Sequence, residues 1–379
     1  MITTGIFLPG TNRLLTVLLC IAFIQCRQDE ESPVEKILTY AQPESKKSTV
    51  LISKPLTGLK YIKAPYSIGI ADSILIVLDN STPKLVNLFG LSNYRFLSDF
   101  GKSGEDPWNL RNPWYYGQSL KEKDSLYCIM GDSKSNKLLK INLSNILVSN
   151  GETSLTWFAW LPRAIILSFN ALFLTGDSLI IGSYRGNATE KNGRFFRYDL
   201  RSGQLNWSSY YPKFESRVPN DQIPFLYYSF CGFNNAKQLM VASMNLLDRL
   251  EIVNANLHAV VAALPESSPA YEPSVDDLPA GRQTKIFFNE VYTTDRFIYA
   301  LKFNDKLGNY ITNTGNMMLY IFTWDGELKQ VVELDRAALG KLTVDEKQKK
   351  AIIINFCSDR SSAPLVEYDL TSLKIFDHE

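Results

Sequence analysis

Side chains able to carry chemistry are few and scattered along the chain. Only two histidines, His258 and His378, occur in 379 residues, too little for a His-based triad or a multi-histidine metal site. His258 follows Leu257 at the head of an apolar run and His378 is next to last, both positions expected at a periphery. No CxxC, GxSxG, Walker A, HExxH or EF-hand loop is present. What remains is carboxylates, aromatic rings and arginines. Trp114, Tyr115, Tyr227, Asn289 and Glu290 form a candidate ligand face, through ring stacking and hydrogen bonding. Packing between structural elements is the competing use of the rings. Arg111, Arg163 and Arg185 sit at loop–strand junctions, where an anion site or a solvated surface would use them. Asp345 and Glu346 read as a solvated turn. No cofactor or metal is expected, and no catalytic residue is assigned.

The elements that must position these groups are short. Runs rich in Val, Ile, Leu, Phe and Tyr alternate with Asp, Asn, Gly and Ser clusters, the signature of strands and turns. Self-similarity organises them. A polar pair followed by apolar residues recurs at Asp72-Ser73, Asp124-Ser125, Asp177-Ser178, Lys237-Gln238, Asp295-Arg296 and Lys349-Lys350, 52 to 60 residues apart. Each copy leads to a second run that usually ends in Asp or Asn, which initiate turns, as at Asn142, Asp199, Asn254 and Asp369. Four antiparallel strands per copy and six copies predict an all-β, six-bladed propeller, because radial stacking buries both faces of every sheet. A seven-bladed ring and two tandem sandwiches are the alternatives. The ring must close, with Thr49–Ile52 or Leu373–Phe376 supplying the missing outer strand. The polar stretch 271–282 reads as a surface loop.

Composition excludes two function classes. Forty Lys and Arg against 39 Asp and Glu provide no basic field for nucleic acid. With 45% hydrophobic and 12% aromatic residues, the chain is not a disordered one.

Residues 1–25 read as an address. Arg13 precedes an apolar run, Leu14 to Ile24, too short to span a bilayer and suited to a signal h-region. The run ends at Phe23-Ile24-Gln25-Cys26 and turns polar at once. This resembles a bacterial lipoprotein signal with Cys26 as the lipidated residue; Cys20 and an ordinary secretory signal are the alternatives. Several acyl chains anchor firmly where one does not. Residues 26–48 then read as a flexible tether and 49–379 as the propeller. Cys128, Cys231 and Cys357 lie in apolar runs and are expected to be buried free thiols.

The stretch Asp99-Phe100-Gly101-Lys102-Ser103-Gly104-Glu105-Asp106-Pro107, followed by Asn112-Pro113, resembles the glycine-rich blade connection of NHL-type and TolB-like six-bladed propellers. With the lipid signal, it resembles the six-bladed TolB-like lipoproteins of Bacteroidetes. It departs from the usual spacing by Glu105-Asp106 between Gly104 and Pro107. The resemblance covers roughly residues 50–376 as architecture. It implies the fold and an envelope lipoprotein on the outer membrane, anchored through Cys26; the expected role is a monomer whose propeller binds or scaffolds a protein or glycan partner. The alternative implied by similarity to six-bladed lactonases is a channel-centred, calcium-assisted hydrolase or lyase.

Overall fold

The computed structural model describes residues 34–41, 49–59, 61–106, 109–149, 155–165, 169–185, 193–208, 211, 219, 221–266, 281–356 and 363–376. Cys26, Cys357, His378, Pro107 and most of the 271–282 loop lie outside them. Three short N-terminal strands come first: β1 (Lys36–Tyr40), β2 (Val50–Leu51) and β3 (Lys54–Pro55). Blade I follows as β4 (Pro65–Ala71), β5 (Ile74–Asp79), β6 (Lys84–Gly90) and β7 (Phe96–Lys102). Blade II is β8 (Pro113–Glu122), β9 (Ser125–Asp132), β10 (Lys137–Asn142) and β11 (Leu155–Trp160). Blade III is β12 (Phe169–Thr175), β13 (Leu179–Tyr184), β14 (Phe195–Asp199) and β15 (Leu205–Trp207). Blade IV is β16 (Ser229–Asn234), β17 (Leu239–Met244), β18 (Leu250–Asn254) and β19 (Ala259–Pro265). Blade V is β20 (Lys285–Thr293), β21 (Phe297–Lys306), β22 (Met317–Thr323) and β23 (Leu328–Leu334). Blade VI has β24 (Leu339–Asp345), β25 (Lys350–Asn355) and β26 (Leu365–Asp369).

The recurring polar pair lies at the hairpin between the first two strands of each blade. In blade I the turn is two residues, Asp72 and Ser73, with Ala71 opposite Ile74. Such turns need a positive φ, and Asp72, Lys123, Gly176, Gln238 and Lys349 supply it in five of the six hairpins.

Second strands read as continuous apolar runs because both their faces are covered. Successive side chains point to opposite faces, and the packing follows that alternation around the ring. Ile76 and Leu78 pack with Cys128 and Met130 of blade II, while Leu75 and Val77 pack with Ile352 and Ile354 of blade VI. Ile129 meets Leu172 and Ile180; Phe173 and Ile181 meet Met240 and Ala242. Val241 and Ile252 meet Ile298 and Ala300, and Tyr299 and Ile321 meet Val344 and Ile353. Each of the six interfaces is one buried apolar cluster. Cys128 and Cys231 are buried free thiols, as expected.

Closure differs from both sequence-based candidates. Lys54–Pro55 pairs antiparallel with β26 and completes blade VI. Thr49–Ile52 contributes β2 instead, parallel to β23 of blade V. Lys374–Phe376 is a 3₁₀ turn whose Phe376 is buried; it packs rather than pairs.

Of the span 26–48 read as a tether, residues 26–33 and 42–48 lie outside the described residues; Lys36–Tyr40 is instead an ordered fifth strand parallel to β19. Its side-chain anchor is Tyr40, which donates to Asp248 Oδ1 at 3.1 Å. Lys302, with no exposed side-chain surface, places Nζ 2.6 Å from Asp248 Oδ1. The rings of Tyr40, Phe288 and Tyr320 surround that ammonium at 5.4, 5.5 and 4.8 Å. A second buried charge set joins blades III and IV, where Glu251 takes Arg194 at 2.7 Å and Arg249 at 2.6 Å.

The glycine-rich connection does need its glycine. Gly101 has φ +82°, and a Cβ there would lie 2.4 Å from Leu110 Cδ1.

Candidate functional site

The inner strands are β4, β8, β12, β16, β20 and β24, and their N-terminal ends surround a cavity of about 320 Å³. Each blade contributes a short stretch. Tyr66 comes from blade I, Trp114 and Tyr116 from II, Phe169 to Ala171 from III, and Tyr228 with Phe230 and Cys231 from IV. Blade V provides Asn289 and Glu290, and blade VI provides Gly340 and Lys341. Loops after the second strands rise around this mouth and carry Ser133, Arg185 and Phe356.

Trp114, Asn289 and Glu290 are therefore brought together at this mouth. Tyr115 and Tyr227 are not, and both are corrections. Tyr115 points to the other face of β8, 1% exposed among the blade I–II core, with its hydroxyl donating to Ile70 O at 3.0 Å. Tyr227 follows the short helix Ile223–Leu226 instead of sitting on a strand, and packs against Tyr211 with ring centroids 5.1 Å apart. The three arginines separate as well. Arg185 reaches the cavity, Arg111 pairs with Glu105, and Arg163 lies in a 3₁₀ turn. His258 is exposed just ahead of β19, at the periphery as expected. Glu346 does not lie in a free turn; it accepts hydrogen bonds from Thr294 and Tyr299.

Charge in the cavity is arranged across blades. Lys341 Nζ lies 2.7 Å from Glu290 Oε2 and 5.9 Å from the Trp114 ring, so one ammonium joins an acid of blade V to an indole of blade II. Val291 N–H donates to the other Glu290 oxygen at 3.0 Å. Asparagines fix neighbouring inner strands to each other: Asn289 Nδ2 donates to Leu339 O at 2.7 Å, and Tyr310 adds its hydroxyl at 3.1 Å. Asn170 donates to Ser229 O. Tyr66 stacks edge-on against Trp114 at 5.4 Å, and its hydroxyl has no partner among the described residues.

These tyrosines stay neutral at physiological pH. Burial pushes the Tyr228 hydroxyl up to about 12, with Glu290 adding to the rise and Arg185 opposing it. Burial, reinforced by Glu290, likewise takes Tyr310 up to about 12, against a hydrogen bond from Asn289. Burial raises the Cys231 thiol to about 11, which keeps it a thiol rather than a nucleophilic thiolate. The mouth thus offers hydroxyl donors, ring faces, one carboxylate and two cations. Glu290 is the single carboxylate among the described lining residues, and no three His, Cys, Asp or Glu among the described residues are grouped to hold a metal ion.

Farther along the inner strands the ring is crossed by amides. Gln118 Nε2 donates to Leu174 O and Asn235 Oδ1, both at 2.6 Å, and its carbonyl accepts from Leu174 N–H at 2.8 Å. A bulge in β8 aims Gln118 this way: the register slips between Tyr115 and Ser119, and Gly117 sits there at φ +81°.

Tyr66, Lys341, Tyr310 and Phe356 were not singled out from sequence. Position relative to the polar pair does mark some of the lining: Tyr66, Ala171, Cys231 and Asn289 each lie six residues before their copy.

A family described as "TolB-like 6-blade propeller-like" matches residues 41–347. A member of the DUF4221 family from Bacteroides vulgatus is similar in structure at TM-score 0.57 and 14% identity, covering 89% of this chain and 98% of its own. A Bacteroides fragilis protein named as exported is similar at TM-score 0.52 and 10% identity, covering 88% and 98%. No curated protein matches the chain.

Proposed function

The chain belongs to the TolB-like six-bladed propeller family, and on that frame we propose that it is an envelope lipoprotein that binds a glycan at the aromatic mouth of the ring. The observation that carries this reading is the lining itself. Trp114, Tyr116, Phe169, Tyr228 and Phe230 surround an ion pair and neutral hydroxyls, which suits stacking on sugar rings with hydrogen bonds to their edges. Glu290 is bound to Lys341, and no second carboxylate stands among the described lining residues, so the paired acids of glycoside hydrolysis are not assembled among them. The protein partner remains the competing occupant of the same rim. Export is supported by the apolar run before Cys26 and by a structural relative named as exported. No helix among the described residues is long and apolar enough to cross a membrane, and the anchor in this reading is acyl.

A glycan array probed with the purified propeller and with Trp114→Ala tests the binding part. Signal that falls with the indole, at unchanged melting temperature, is the expected result. Equal signal from both proteins refutes it, as does hydrolysis or elimination of a glycan, lactone or ester that disappears in Glu290→Gln. For the anchor, wild type should carry acyl chains by mass spectrometry, and Cys26→Ser should leave the membrane fraction. An unmodified wild type would refute lipidation.

A further inference from the structure

We propose that the glycan taken at this mouth is acidic, a pyranose whose carboxylate is received by Arg185; this deepens, and rests on, the binding reading above. The cavity's described lining holds two cations and one anion, Arg185, Lys341 and Glu290. Lys341 is neutralised by Glu290 at 2.7 Å. Arg185 makes no ion pair with any described residue, and it is exposed at the end of β13. Among the described lining residues one positive charge is therefore left over, on a planar donor suited to bidentate contact with a carboxylate.

Three further features narrow the ligand. Arg185, Glu290 and Tyr228 all line this one cavity, so cation, carboxylate and phenol share the mouth. Such a region can engage a ring substituent of each kind: an acidic group by the arginine, sugar hydroxyls by Glu290 and Tyr228. The aromatic walls, including a Phe356 that is 50% exposed, fit ring faces better than an extended acidic peptide. A volume of about 320 Å³ is at the lower end for small-molecule pockets, enough for about one or two sugar rings.

Titration calorimetry would use the disaccharides of galacturonate, glucuronate and mannuronate, their neutral methyl esters, and triglutamate. At least one uronate should bind wild type roughly tenfold or more tightly than its ester, in keeping with loss of a hydrogen bond to a charged group. Arg185→Gln should weaken that uronate by the same factor and bind acid and ester alike. Trp114→Ala should weaken both. Melting curves control for folding, and Arg185 is exposed enough that its variant should melt with wild type. Esters bound as tightly as acids, or a preference for acids that survives Arg185→Gln, would overturn the acidic assignment and leave glycan binding standing. Failure of every saccharide, acid and ester, would overturn both. Arg185-dependent capture of triglutamate in preference to every uronate would assign the arginine to a peptide and overturn the proposal.

Discussion

Lys302→Met offers a direct measure of what holds the N-terminal strand to the ring. Methionine keeps the length of the side chain and removes its charge from a site with no solvent exposure, 2.6 Å from Asp248. Burial pushes the Lys302 ammonium below its ordinary range while Asp248 pulls the other way. Removing one member of a buried pair costs about 3–5 kcal/mol. For a chain of this size each kcal/mol is worth roughly 2 °C, the low end for domains, so the melting temperature should fall by about 6–10 °C on that scale. The double variant Lys302→Met with Asp248→Asn removes both charges and should recover at least half of the loss, because neutral replacements of a buried pair are often tolerated. Differential scanning calorimetry on the four proteins of the cycle gives the coupling. A single variant within 1 °C of wild type, roughly the error of the measurement, would refute the reasoning. So would a double variant no better than the two singles added.

Three other outcomes follow from the same structure. Tyr115→Ala should cost about 3–5 kcal/mol in urea unfolding, whereas Trp114→Ala at the mouth should cost far less; equal costs would mean that the two side chains are not on opposite faces. Removing residues 1–41 should leave a folded propeller that melts lower, since Asp248 loses the Tyr40 hydroxyl, and a melting point unchanged by the deletion would show β1 to be a bystander. Burial works to raise the Glu251 carboxyl, but Arg194 and Arg249 outweigh it and hold the group below its usual value. A carboxyl depressed in the folded state stabilises above its unfolded pKa, about 4.3, and that stability is lost as pH falls through the folded value. Urea midpoints for wild type should therefore decline steeply below pH about 4, while Glu251→Gln, weaker at pH 7, should show a shallower decline.

Much of the ring was legible because its cause is local and repeats. A polar turn, with positive φ in five of the six blades, and an apolar strand behind it leave the same trace six times, and six copies fix the blade number. Closure left no such trace. Lys54–Pro55 is two residues long and outwardly unlike a strand, and only the open edge of β26 makes it one. The mouth was half legible. Asn289, Glu290 and Trp114 were found by chemical type, but Tyr115 looked identical to its neighbours and was misplaced by strand alternation. Lys341 could not be found by type alone, because what makes it a site residue is Glu290, fifty-one positions away in sequence and 2.7 Å away in space. The six-residue spacing marks the lining in blades I, III, IV and V only; in blade II the β8 bulge puts Gln118 at that position, and in blade VI it falls on Thr343, outside the lining.

The strand β1 has a directional consequence. It runs parallel to β19, with Lys36 opposite Val261 and Tyr40 opposite Pro265. The last strand of a blade ends on the side where the next blade's first strand begins, which is the side of the cavity. Lys36 is thus the end of β1 farther from the mouth, and the chain enters the propeller from the opposite face. A ligand that reaches the mouth therefore meets the face on which β1 ends, not the face on which it begins.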